Sequence, residues 1–111
     1  MPHRTPTFED VRSLALALPG VEESSIHGRP SLKLQGKLFA CPAIHRSAEP
    51  DTLALRMPHT ERARLLAAEP DRCYVTEHYV KHPMILVRLP RTSLRWLRQL
   101  LQQALQLAEA G

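Results

Sequence analysis

The stretch that decides the fold is Arg29–Ile44, RPSLKLQGKLFACPAI, in which two short runs meet at a single glycine. In the first run leucines alternate with polar residues, which is the period of a half-buried strand. Gly36 joins this run to the second closely enough for a tight turn. We therefore predict two antiparallel strands, Ser31–Gln35 and Lys37–Ile44, connected around Gly36.

A helix is predicted before this pair of strands. Apolar residues recur at helical spacing from Phe8 to Leu18, so one face of the segment is apolar. Thr7 is placed to act as the N-cap, with Asp10 three residues later as in a capping box. Pro19-Gly20 then ends the helix.

The elements after the strand pair follow from the same two periodicities. The last segment carries a broad apolar arc that includes Trp96, Leu100 and Leu107, which favours a helix wedged between the sheet and another helix. Thr92 or Ser93 is expected to cap it. The other predicted elements are a strand Thr52–Met57, a short helix that ends at about Ala68 with Thr60 as its N-cap, a brief strand Arg72–Val75 and a strand Met84–Leu89. The predicted connections are a flexible start Met1–Pro6, a polar turn Val21–Pro30 and a polar loop Glu77–Pro83.

The order α-β-β-β-α-β-β-α predicts an α+β fold, an antiparallel sheet with helices packed on one face. At 111 residues the chain is expected to form a single domain spanning residues 1–111. No apolar run approaches the ~20 residues of a membrane helix, and the N-terminal segment is not typical of a signal peptide. We expect a cytoplasmic protein with no membrane partner.

The composition indicates a basic protein without disulfide bonds. Fifteen Lys and Arg against 11 Asp and Glu give a net charge of +4, a balance that permits nucleic-acid binding. The two cysteines, Cys41 and Cys73, are expected to be free, buried and unreactive thiols.

Catalytic and metal-binding signatures are not found in the sequence. His78 and His82 are four residues apart, but Pro83 favours a loop, on which that spacing does not bring them together. No second ligand pair completes a metal site, and no nucleophile elbow or phosphate-binding glycine loop is present. We expect a protein that is not an enzyme, holds no metal and needs no cofactor.

One set of cations could share a surface. If helices cover one face of the sheet, strand alternation can place Lys33, Arg56 and Arg88 on the opposite face. Arg29 and Lys37 then lie at nearby strand ends, and Lys81 precedes the last strand. These cations could contact phosphates, although the open face of an antiparallel sheet is commonly just polar and solvated.

Several segments, in this order, resemble the MmcQ/YjbR family. They are Leu14–Glu22 (LALALPGVE), Gly28-Arg29-Pro30, Lys33–Ala40 (KLQGKLFA), Tyr74–Tyr79 (YVTEHY), Pro83 and Leu86–Leu89 (LVRL), followed by the long last helix. The resemblance implies a fold akin to the secretion-chaperone type and DNA binding through a double-wing arrangement. It also implies that the segments Arg29–Lys37 and His78–His82 belong to the binding surface.

The leading hypothesis is a DNA-binding module that contacts the phosphate backbone with low sequence specificity. Its candidate residues are Arg29, Lys33, Lys37, Arg56, His78, Tyr79, Lys81, His82 and Arg88. The alternative is a protein- or peptide-binding adaptor with a chaperone-like fold, and either function suits a monomer or a weak homodimer. A third possibility, a small-ligand-binding protein, requires an apolar pocket that a sequence cannot display.

Overall fold

The computed structural model describes residues 4–110. Its helices are α1 (Phe8–Leu16), α2 (His59–Ala68), α3 (Glu77–Val80) and α4 (Leu94–Ala110), with a 3-10 turn at Leu89–Arg91. Its strands are β1 (Val21–Ile26), β2 (Arg29–Leu34), β3 (Lys37–Pro42), β4 (Thr52–Arg56), β5 (Cys73–Tyr74) and β6 (Met84–Arg88). The strands form one antiparallel sheet in the order β1-β2-β3-β4-β6-β5. The predicted fold class is confirmed.

The N-terminal helix begins as its sequence predicts. Thr7 is the N-cap of α1, and its backbone N–H donates to Asp10 Oδ2 at 2.8 Å. Arg4 donates two further bonds of 2.6 Å to the same carboxylate, which hold the pKa of Asp10 well below its usual range together with the bond from Thr7. The expected flexible start falls partly on residues 1–3, outside the described part of the chain. Residues 4–6 are attached to α1, since Arg4 binds Asp10 and Pro6 is buried.

The segment predicted as a polar turn, Val21–Pro30, is instead a strand and the start of another. β1 pairs with β2 from Val21–Leu34 to Ile26–Arg29, and the residues His27 and Gly28 make the turn between them. Both turn residues have positive φ, 52° and 76°, which is the geometry of a two-residue hairpin turn. The prediction failed because β1 is an edge strand with one buried residue, Val21, so it shows no apolar alternation.

Three helices bury the main core against one face of the sheet. Val11 and Ala15 of α1, Leu65 of α2 and the inner side of α4 pack on the strand residues that point toward them. The largest fully buried side chains in this core include Phe39, Leu53, Leu55, Ile85 and Leu101. The predicted cap of α4 is also confirmed, because Ser93 Oγ accepts a bond of 3.1 Å from the N–H of Trp96.

The opposite face of the sheet, here called the second face, is not simply solvated. Ala54, Met84 and Leu86 form a second buried cluster there, with Tyr74 and Tyr79 packed against it. The predicted loop Glu77–Pro83 contains the single-turn helix α3, which carries Tyr79 over this face. Helices therefore lie on both sides of the sheet, three on one face and one short turn on the other.

Candidate functional site

A groove runs along the second face beneath α3. It consists of two adjoining cavities, of about 550 Å³ and 370 Å³, which share Leu38, Cys41, His78 and Tyr79. The larger cavity extends toward the β1–β2 turn and the smaller one toward the start of β6. The larger cavity is lined by Ile26, His27, Arg29, Pro30, Leu38, Cys41, Pro42, Ile44, His45, Arg46, His78 and Tyr79. We call the two cavities together the groove.

The lining of the groove combines apolar and basic groups. Two arginines, Arg29 and Arg46, and three histidines lie around the larger cavity, and no aspartate or glutamate lines either cavity. Ile44, on the wall of the larger cavity, is 51% exposed, which is unusual for a large apolar side chain in this protein. The groove therefore offers an apolar surface in positively charged surroundings.

Two histidines from different segments stack at the groove. The rings of His45 and His78 are nearly parallel, 6° apart, with centroids separated by 3.5 Å, and Tyr79 meets both rings edge-on. Nδ1 of His45 lies 2.8 Å from Ser47 Oγ, which lies 2.8 Å from Thr76 Oγ1. This chain of polar contacts orients His45 and connects the loop after β3 to the start of α3.

The surroundings of His78 disfavour the charged form of its ring. Loss of hydration lowers the pKa of His78, and repulsion between its charged form and the basic groups of His45, His82 and Lys81 lowers it further. The neutral ring is therefore favoured, which is consistent with two imidazoles stacked in contact.

A buried arginine holds α3 in place. Arg62 of α2 is 7% exposed and donates to the backbone carbonyls of Val80, His82 and Met84 at 2.8–3.1 Å. Nη2 of Arg62 also lies 3.2 Å from Nδ1 of His59. These bonds fix the segment between α3 and β6, and so fix the wall of the groove.

The predicted cations fall into three groups. Arg29 lines the groove, together with the predicted His78 and Tyr79, and His82 lines its smaller cavity. Arg88 lies on the second face, as alternation suggested, but it is engaged within the protein. Its Nε donates to Glu49 at 2.9 and 3.0 Å, Nη1 donates to the carbonyls of Pro70 and Asp71, and the guanidinium lies 4.3 Å from the ring centre of Tyr74.

The third group gathers at one end of the sheet. Lys37 begins β3, Arg56 ends β4 opposite the first residue of β6, and Lys81 shortly precedes β6, so antiparallel pairing brings them to the same end. Lys33 pairs with Leu38 nearby. We call Lys33, Lys37, Arg56 and Lys81 the tip cluster. In the pairing of β1 with β2, Glu22 is the residue directly opposite Lys33.

Several residues of the site could not be singled out from the sequence. His45 and Arg46 sit in the loop after β3, and their relation to α3 depends on a contact across 33 positions. The adjacent His-Arg pair in a loop was the only available signal. Arg62 is one of the two arginines of α2, and nothing in its local pattern separates it from the exposed Arg64.

The two thiols agree with the prediction in part, because Cys73 is buried whereas Cys41 is only partly buried and lines the groove. Cys41 and Cys73 are both free. Burial raises the pKa of Cys41, and burial followed by the charge of Glu69 raises the pKa of Cys73 to about 11. Among residues 4–110, no three His, Cys, Asp or Glu side chains approach closely enough to hold a metal ion together. None of the helices in that range has the length and apolar character required to cross a bilayer.

Comparison with known proteins identifies a family and a solved structure of similar fold. The model of the YjbR family matches residues 16–107. A Deinococcus radiodurans protein, DR2400, whose crystal structure is described as having a DUF419 domain, superposes with a TM-score of 0.69 at 22% identity. The alignment covers 93% of this chain and 78% of that one, and at this identity it shows the fold alone. No curated protein matches the chain.

Proposed function

The chain belongs to the YjbR family, and we propose that it binds nucleic acid through the phosphate backbone, without catalysis and with low sequence specificity. The observation that carries the proposal is the tip cluster. Its four cations form no ion pair among residues 4–110, whereas Arg4, Arg12, Arg64, Arg72 and Arg88 all do. Unpaired cations at one end of a sheet are available to phosphates.

The placement of the tip cluster suits a repeating backbone better than a single base. Its members come from β2, β3, β4 and the segment before β6, so they are spread along the end of the sheet. Phosphate contacts of this kind position a nucleic acid without reading its sequence. Tyr74 and Tyr79 pack against the second cluster, so they do not form an open platform on which bases could stack.

The state of the two thiols supports a binding role over a catalytic one. The raised pKa values of Cys41 and Cys73 keep both thiols protonated near neutral pH, and a protonated thiol is a poor nucleophile. The adaptor alternative has less support, because α4 packs Leu100 into the core and half-buries Trp96 and Leu107 against it. We propose a cytoplasmic location, consistent with a nucleic-acid partner.

The test is fluorescence anisotropy with a labelled random-sequence duplex at several salt concentrations. If all four tip cations contact phosphates, the logarithm of the affinity should fall against log salt with a slope of about 3.6. The double variant Lys37→Glu with Lys81→Glu should reduce that slope by about 1.8 or abolish binding. Arg88 is left unchanged, because altering it would break its pairing with Glu49.

The matched control is Arg95→Glu with Arg98→Glu. These arginines are exposed on α4, on the other side of the sheet, and form no ion pair among residues 4–110. The control changes the net charge by the same amount, so it should bind nearly as well as the parent. Equal losses in both double variants would show that only net charge matters. No binding at low salt would refute the proposed function.

A further inference from the structure

We propose that the groove is a binding site for a small organic acid, a molecule with one anionic carboxylate or sulfonate group attached to an apolar aromatic or aliphatic body. This site is separate from the tip cluster. None of Lys33, Lys37 or Lys81 lines either cavity of the groove. The proposal therefore does not depend on nucleic-acid binding.

The size and surface of the groove match a small molecule. Its larger cavity, about 550 Å³, lies within the roughly 300–1,000 Å³ range of small-ligand sites. The floor is made by Leu38 and Cys41, and the walls include Ile26, Pro42 and Ile44. Half of the Ile44 side chain is exposed, and an apolar ligand would remove that surface from water.

The charge around the groove selects an anion. Arg29 and Arg46 line the larger cavity, are exposed, and form no ion pair among residues 4–110. Guanidinium groups bind carboxylate and sulfonate oxygens through paired N–H donors. With no acidic residue in the lining, an anionic group meets no like charge there, whereas a cation would be repelled.

The site is also formed before a ligand arrives. Arg62 holds the segment after α3 by three backbone carbonyls, and the His45–Ser47–Thr76 contacts hold the facing loop. A wall fixed in this way loses little freedom when a ligand binds, which favours affinity for a small molecule.

The experiment uses two dyes of similar shape and different charge. Anilinonaphthalene sulfonate has an anionic group on an aromatic body, and N-phenylnaphthylamine has the same kind of body without charge. We expect the sulfonate to bind the full chain at least about tenfold more tightly than the neutral dye, the difference that one charge-assisted contact supplies. Amide shifts in the ¹H–¹⁵N spectrum should concentrate at Ile26, Cys41, Ile44 and Tyr79.

Variants then separate groove charge from net charge. Arg29→Gln with Arg46→Gln should weaken sulfonate binding about tenfold or more and leave the neutral dye within about twofold. Arg95→Gln with Arg98→Gln removes the same charge from α4 and should change neither. All four positions are exposed, and circular dichroism checks that each variant is folded.

Three results would overturn the proposal: equal affinity for both dyes, shifts located away from the groove, or equal losses in the two double variants. Failure here is distinguishable from failure of nucleic-acid binding. Lys37→Glu with Lys81→Glu should lose the duplex and keep the sulfonate. A parent chain that binds the duplex and rejects the sulfonate would contradict this inference alone.

Discussion

Arg62 shows how one buried side chain can determine the shape of a distant segment. The helix α3 is four residues long, and none of its side chains is fully buried, although Tyr79 packs partly against the second face of the sheet. So short a helix is not stable by itself. The bonds from Arg62 to the carbonyls of Val80, His82 and Met84 supply the missing restraint. The groove therefore depends on a residue that does not line it.

The first prediction concerns the loss of this restraint. Arg62→Met keeps an unbranched side chain but removes a donor from three carbonyls, of which that of His82 keeps its bond from the Met84 N–H. The free energy of unfolding should fall by about 2–4 kcal/mol. Urea denaturation measures the change. The control is Arg64→Met on the same helix. It removes an exposed ion pair with Glu61, and the free energy of unfolding should fall by less than about 1 kcal/mol. Similar losses in the two variants would contradict the role assigned to Arg62.

The stacked histidines give the second prediction, a change in the pKa of His78. His45→Phe keeps an aromatic ring against His78 and removes a basic group that lowers the pKa of His78, so this pKa should rise while remaining below its ordinary value. Loss of hydration, the larger cause of the depression, persists in the variant. An NMR titration of the ring protons measures it.

The matching control and the sign of the pH effect follow from the same contacts. His27→Phe changes another histidine of the groove, one that does not contribute to the depression, and should leave the pKa of His78 unchanged. Because the folded state disfavours the charged His78, its contribution to stability is fully present above about pH 6.5 and decreases as the pH falls below that value. A drop in the pKa of His78 after His45→Phe would refute the assigned interaction.

Arg88 marks the limit of what alternation along a strand can predict. The period of two correctly indicates the face on which Arg88 lies, because each strand side chain must point to one face or the other. Its partner Glu49 is 39 residues away, and no local pattern connects the two. Strand alternation therefore predicted the second face, while the difference between the paired Arg88 and the unpaired tip cluster required the tertiary structure.

At the scale of elements, two hairpin turns decide the register of the sheet. Gln35 and Gly36 connect β2 to β3 with φ of 53° and 78°, the same two-residue geometry as His27 and Gly28. Glycine adopts this left-handed region without strain, whereas a residue with a Cβ does not. In each turn the first residue, His27 or Gln35, has a Cβ and bears this strain, whereas the second residue is a glycine and does not.

The third prediction concerns two substitutions in the turn between β2 and β3 that should change stability in opposite directions. Gly36→Ala should destabilise the protein by about 1 kcal/mol through backbone strain alone, because an added Cβ would meet no atom within 4 Å. Gln35→Asn should stabilise it by a few tenths of a kcal/mol, since asparagine tolerates positive φ. Thermal unfolding measures both. An unchanged midpoint for Gly36→Ala would show that the turn does not need glycine.

The two hairpins also explain why one strand was predicted and the other missed. β2 and β3 lie inside the sheet. β2 alternates leucines with polar residues and β3 is a short apolar run, so both are visible around Gly36. β1 has a neighbour on one side only, and its sequence VEESSI buries one residue. An edge strand needs little apolar surface, so backbone pairing rather than hydrophobic pattern determines it.

At the scale of the whole molecule, the order of the strands grades stability from centre to edge. β4 and β6 lie next to each other with both faces covered, and four of the five residues in each are buried. β1 and β5 form the two edges. The acidic residues Glu22 and Glu23 lie on β1, and charges of this kind on an edge discourage pairing with another chain.

The last prediction is therefore a ranking of amide hydrogen exchange. Amides of Leu53, Leu55, Ile85 and Val87 should exchange most slowly, near the limit set by global unfolding, and those of β1 should exchange through local opening many times faster. Exchange followed by ¹H–¹⁵N spectra at two protein concentrations tests both the ranking and whether the edge strand β1 is free of a second chain. If β1 amides are as protected as those of β4, and more so at higher concentration, then a second chain covers that edge. Such a result would indicate a dimer joined through β1, in which the carboxylates Glu22 and Glu23 of two copies would have to approach one another.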